Sequence, residues 1–216
     1  MNDYEFEIGN PDAGGVGKLI SIGGSGGSAK DAVDKWISMA LNKAADRART
    51  LAARQIAAEV NLAPSYINDK LKVTQRATKT NPEAHIKGSY RPTSLARYAT
   101  SKDVERSRKS GGVSVQVQPG SAKFIKGAFL IPLKSGQGPD AGMGNIGLAI
   151  RLKPGSAVKN KKKYMAKLAG DLYLLYGPSV QQTFINNAGS GAGQDISQRA
   201  LDILAEEFLR LSALEL

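Results

Sequence analysis

The chain has 216 residues and no cysteine, and its 30 Lys plus Arg against 19 Asp plus Glu give a formal charge of +11. That length suits one moderate domain, or one domain with an arm. A chain without cysteine has no disulfide framework, no thiolate metal site and no thiol catalysis, which fits maturation in a reducing cytosol.

The charge is unevenly spread. Residues 64 to 170 hold twenty-one basic and five acidic groups, a segment charge of +16, whereas residues 171 to 216 hold two and six, or −4. Such a chain is electrically polarised once folded, which favours a polyanion partner or head-to-tail contact between copies. Both predict association that weakens with salt.

Met1 to Asp12 are acidic and have neither a basic n-region nor an apolar h-region, so no secretory signal is expected. No run of about 20 apolar residues follows, so no membrane partner is expected. Residues 9 to 28 read GNPDAGGVGKLISIGGSGGS, with eight glycines in twenty positions. Ordering so much glycine costs backbone entropy, which predicts a flexible N-terminal arm over 1–29 that orders only against a neighbour. Gly14, Gly15, Gly17 and Lys18 suggest a phosphate-binding loop, but Asp12 stands where its first glycine belongs and Leu19 where it needs Ser or Thr.

Ser28, with Asp31 three residues on, has the spacing of a capping box. Val33, Trp36, Ile37, Ala40, Leu41, Ala44, Ala48, Leu51, Ala52, Ile56 and Val60 then recur at helical spacing, and Pro64 ends the pattern near Asn61 to Ala63. The apolar face is alanine-rich, so the helix can lie close to what it packs on. Pro64 opens a second, short helix to Leu71. Residues 113 to 118, VSVQVQ, alternate as a half-buried strand does; Pro119-Gly120-Ser121 turns the chain, and Lys123 to Leu133 returns as a second strand. Leu148 to Leu152 and Leu172 to Tyr176 are further strands. After Gly177-Pro178 a short helix is expected through Phe184, then a loop from Asn186 to Gly193. Asp195 and Gln198 offer another capping pair for a terminal helix lined by Ile196, Ala200, Ile203, Leu204, Phe208 and Leu211. The whole reads as an α+β fold over 30–216: a long N-terminal helix and a C-terminal helix packed on a small, mostly antiparallel sheet of four or five strands, with long loops.

Catalytic signals are close to absent. His85, the sole histidine, lies in the polar stretch Thr80-Asn81-Pro82-Glu83-Ala84-His85 and reads as a surface loop residue, so neither a histidine relay nor a multi-histidine metal site is built. Between residues 106 and 170 the only carboxylate is Asp140, too few for paired-acid or two-metal chemistry. Glu206-Glu207 reads as a solvated helix face. No enzyme activity, cofactor or metal is expected. Lys159, Lys161, Lys162 and Lys163, with Lys153 and Lys167 nearby, form a basic loop suited to phosphates or to an acidic neighbour. Only Tyr164 interleaves with it, so the aromatic platform of a single-strand binder is missing.

In order along the chain, AADRARTLAARQIAAEV (44–60), INDKLKV (67–73), RPTSLARYA (91–99), GVSVQVQPGSAKFIKGAFLIPL (112–133), GLAIRL (147–152) and LYLLYGPSVQQTF (172–184) resemble the phage minor tail protein Z family, the tail completion proteins of long-tailed phages. The resemblance covers roughly residues 35 to 210 and leaves out the glycine-rich arm. It implies a virion protein, assembled in the host cytoplasm, that forms a ring at the head-proximal end of the tail. In that neck position it would join tail to head connector around the DNA channel. The implied partners are copies of itself in a homohexamer, the tail tube or terminator protein, the head connector and the DNA in the channel. The alternative is a basic nucleic-acid-binding protein of host or phage. A general binder of that kind has no use for a glycine-rich arm and an acidic terminal helix.

Overall fold

The computed structural model describes residues 6–8, 27–101, 103–133, 146–153, 164–188 and 191–214. Two long helices, several short ones and small antiparallel sheets make up an α+β fold. Contacts divide the chain into two compact units: residues 1–56, 64–89 and 181–216 form the first, and residues 57–63 and 90–180 the second.

The first unit is built on α1 (Gly27–Glu59). Its 33 residues make a rod of about 50 Å at 1.5 Å per residue. Ile37, Ala40, Leu41, Ala44, Ala48, Ala52 and Ile56 are buried, the face that the 3.6-residue period predicts. The helix starts at Gly27, so Ser28 lies inside it and is not the cap that its spacing suggests. A short helix, α2 (Pro64–Lys70), begins at the proline as expected and leads into β2 (Leu71–Gln75). β2 pairs antiparallel with β3 (Ala84–Gly88), and β1 (Phe6–Ile8) pairs with β3 on its other side, giving the order β1-β3-β2.

Polar contacts fix this sheet to α1. Asn42 donates to the Ala77 carbonyl and accepts from the Ala77 amide, each at 2.9 Å. Arg76 grips Asp46 with two bonds of 3.1 and 2.9 Å. His85 is no loop residue: it sits in β3, 8% exposed, with Nε2 3.6 Å from Glu83 Oε2. Its neighbours in the strand alternate too little for the pattern to be seen in so short a segment.

Two more helices complete the unit. α4 (Val180–Ala188), which follows α3 (Val104–Lys109) of the second unit in chain order, runs past the expected stop at Phe184, and α5 (Gly191–Leu214) starts four residues before Asp195. The expected loop from Asn186 to Gly193 is thus mostly helical, and Asp195 lies inside α5 instead of capping it. Buried Gln181 on α4 accepts a hydrogen bond from the Gly88 amide and donates its own amide to the Ser89 carbonyl at 3.2 Å.

In the second unit α3 (Val104–Lys109) is capped by Asp103, whose side chain accepts from the Arg106 amide at 2.9 Å. β5 (Gly112–Gln118) and β6 (Ser121–Lys126) form the expected hairpin. The second strand does not run on to Leu133. Gly127 has φ +75°, a left-handed conformation that favours glycine, and there the chain leaves β6 and begins β7 (Ala128–Pro132) in another sheet. That sheet contains β4 (Thr93–Ser94), β10 (Leu172–Gly177), β8 (Ile146–Arg151) and β7 in this order, with β9 (Met165–Ala169) also paired to β10. Among the described residues three sheets stand where the sequence suggests a single one.

Candidate assembly surfaces

In the first unit α5 packs on α1 through a mixed seam. Trp36 and Phe208 meet edge to face, with ring centroids 6.4 Å apart and planes at 73°. Beside them Glu207, 7% exposed, is paired with Lys43 from α1 and with Arg210 from its own helix, the latter at 2.9 and 2.6 Å. Hydrogen bonds from Arg210 and Lys43 hold its carboxyl down to about 2, outweighing the desolvation that opposes ionisation. Glu206 is exposed, but Glu207 is a buried ionic link between helices and not the solvated group its sequence setting suggests.

The outer side of α5 is less usual. Leu201 and Leu209 are 43% and 66% exposed and Ala205 is exposed between them, at i, i+4 and i+8 on one face. The helix therefore carries an apolar stripe against α1 and another in solvent. Next to the seam, Arg47, Thr50, Leu51 and Arg54 of α1 and Arg199, Asp202 and Ile203 of α5 line a cleft of about 260 Å³. Three guanidinium groups over an apolar floor suit a carboxylate-bearing segment of a protein neighbour.

In the second unit the strand edges are treated unequally. The Ser107 hydroxyl on α3 accepts from the Leu130 amide of β7 at 3.0 Å, so α3 covers that edge. β6 is almost wholly exposed, with Phe124 at 58%, and in β9 Ala166 to Ala169 are all exposed. Ser107, Arg108, Gly111, Gly127, Ala128, Phe129 and Arg151 line a cleft of about 470 Å³ where β7, β8 and α3 meet. Arg151 is also tied to Asp171 at 2.6 Å.

The basic residues expected to touch DNA or a partner are only partly placed. Lys153 is exposed two residues beyond β8, and Lys167 is exposed in β9; these strands flank β10. Lys159, Lys161, Lys162 and Lys163 lie outside the described residues, as does the arm segment 9–26 with Lys18. Arg108, which no motif singles out, shares with Arg151 the cleft that the folded sheet creates.

The charge divides between the two units as well as along the sequence. The second unit contains sixteen basic and five acidic residues, a net +11, and the first contains fourteen of each. The whole formal charge of the chain thus belongs to one unit. Among the described residues no group of three or more His, Cys, Asp or Glu is placed to hold a metal ion. No described helix is long and apolar enough to cross a membrane.

Comparison with curated proteins and with solved structures finds no match. The family model for prophage minor tail protein Z (GPZ) matches residues 27–139. The match runs from the first residue of α1 beyond the end of β7, and so includes the four N-terminal segments of the ordered resemblance. More than half of the chain is matched, in the order the fold uses it: this chain belongs to the prophage minor tail protein Z family, a family of phage tail proteins.

Proposed function

We propose that this minor tail protein completes the tail as a ring, a homohexamer, at its head-proximal end, where it joins the tail to the head connector around the DNA channel. The observation that carries this reading is the sorting of charge into a neutral unit and one of +11. A ring around DNA needs a basic surface toward the phosphates and other surfaces that bind protein. The cleft of Arg108 and Arg151, with Lys153 and Lys167, supplies the first. The outer stripe of α5 and the open edges of β6 and β9 supply the second. Heterologous contacts between unlike surfaces close into a ring when the rotation permits. In this role the protein acts by binding and has no catalytic step.

Deleting the gene tests this. Tail tubes of normal length that fail to join heads, restored by supplying the protein to purified tails and heads, are the expected result. Fully infectious particles without the protein would contradict it.

A further inference from the structure

We propose that β1 is an exchangeable strand, closing the β3 edge of its own chain in the free protein and the β3 edge of a second copy when copies assemble. The idea rests on the self-assembly proposed above and adds the element that would link neighbours.

β3 is an interior strand. Ala84, His85 and Ile86 are 0%, 8% and 1% exposed, and β2 covers one side of the strand in the register Leu71↔Gly88 to Gln75↔His85. β1 covers the other, with Phe6 opposite Ile86, Glu7 opposite His85 and Ile8 opposite Ala84. Without β1 the sheet would be a two-stranded pair, marginal by itself, with an open edge beside its most buried residues. The sequence around β1 has the period of a strand, since Tyr4, Phe6 and Ile8 alternate with Asp3, Glu5 and Glu7.

The connection to α1 is far longer than this pairing needs. Residues 9–26 make eighteen positions, seven of them glycine. Neighbouring elements are commonly joined by about 2–6 residues, and eighteen extended residues reach up to about 60 Å, more than the length of α1. A strand of three residue pairs makes few hydrogen bonds, so its occupancy depends on effective concentration, which a tether of this kind sets in the millimolar range. A neighbour held in a ring presents its own β1 at a similar concentration. The same pairing then forms between copies with the same hydrogen bonds, as exchange of an identical element allows.

Because the chain has no cysteine, introduced thiols report this pairing alone. Glu7→Cys on one chain and His85→Cys on a longer, tagged chain are mixed, oxidised and separated on a denaturing gel. The double variant Glu7→Cys with His85→Cys is run beside them, and Ile8→Cys with Ala84→Cys repeats the measurement one register step away should His85→Cys not fold. The double variant is expected to link within the chain when dilute. The mixed single variants should link between chains at millimolar protein, and in tails that contain both. Tails in which the double variant links within the chain while the mixed single variants form no link between chains would overturn the proposal and leave the tail reading standing. Links between chains in concentrated protein that is absent from tails would uphold exchange and refute the tail reading. No link in any sample would overturn β1 pairing itself.

Discussion

Glu207 shows how a buried charge becomes a structural link. Its carboxyl titrates near 2 because Arg210 and Lys43 bond to the ionised form, below the ordinary value of 4.5. A depressed carboxylate contributes stability that is present above the unfolded value and lost as pH falls through the folded one. Urea midpoints of the native chain and a Glu207→Gln variant should therefore differ at pH 7, and the gap should close between pH 4.5 and 2. An unchanged gap over that range would remove Glu207 from the account. Gly88 is a second decisive residue. A Cβ there would lie 2.8 Å from Gln181 Oε1 and 3.0 Å from its backbone, in a site with no spare room. Gly88→Ala should cost about 1–3 kcal/mol by overpacking, read from the shift in urea midpoint. Ser107→Ala leaves the buried Leu130 amide without its acceptor and should cost about 1–3 kcal/mol.

At the scale of elements, α1 was legible because its alanines and isoleucines hold one period for many turns, and burial follows that period from Ile37 to Ile56. Ala48 is packed in at 0% exposure, so Ala48→Leu should destabilise the chain by about 1–3 kcal/mol, measured by thermal or urea unfolding. The strand at 113–118 was legible for the matching reason, its strict alternation. β2 and β3 were not. Each has only five residues, and β3 buries three in succession, so neither shows a period long enough to distinguish from loop. β9 was hidden by the opposite condition: Ala166 to Ala169 are all exposed, leaving no apolar face to mark the strand. The break at Gly127 depends on a left-handed φ inside an apolar run, which hydrophobic patterning does not report. Caps misled at both long helices, since Ser28 and Asp195 have the right spacing but lie inside helices that begin earlier.

For the whole molecule, the sequence shows a basic middle of +16 over residues 64–170 but not how that charge falls between compact units, because the two units are interleaved along the chain. Only the fold reveals that residues 57–63 and 90–180 hold the entire +11. DNA affinity should accordingly be insensitive to sequence and fall steeply with salt. Neutralising Lys159, Lys161, Lys162 and Lys163 together should flatten the salt slope by about one for each phosphate that is no longer neutralised. An unchanged slope would move the DNA-binding surface to Arg108 and Arg151, the pair the fold brings to one cleft. The central claim, a ring that completes the tail where it meets the head, is tested most directly by imaging purified tails with the protein labelled. The account predicts one sixfold ring of label at the head-proximal end; label at the distal tip, or particles that lack the protein, would contradict it.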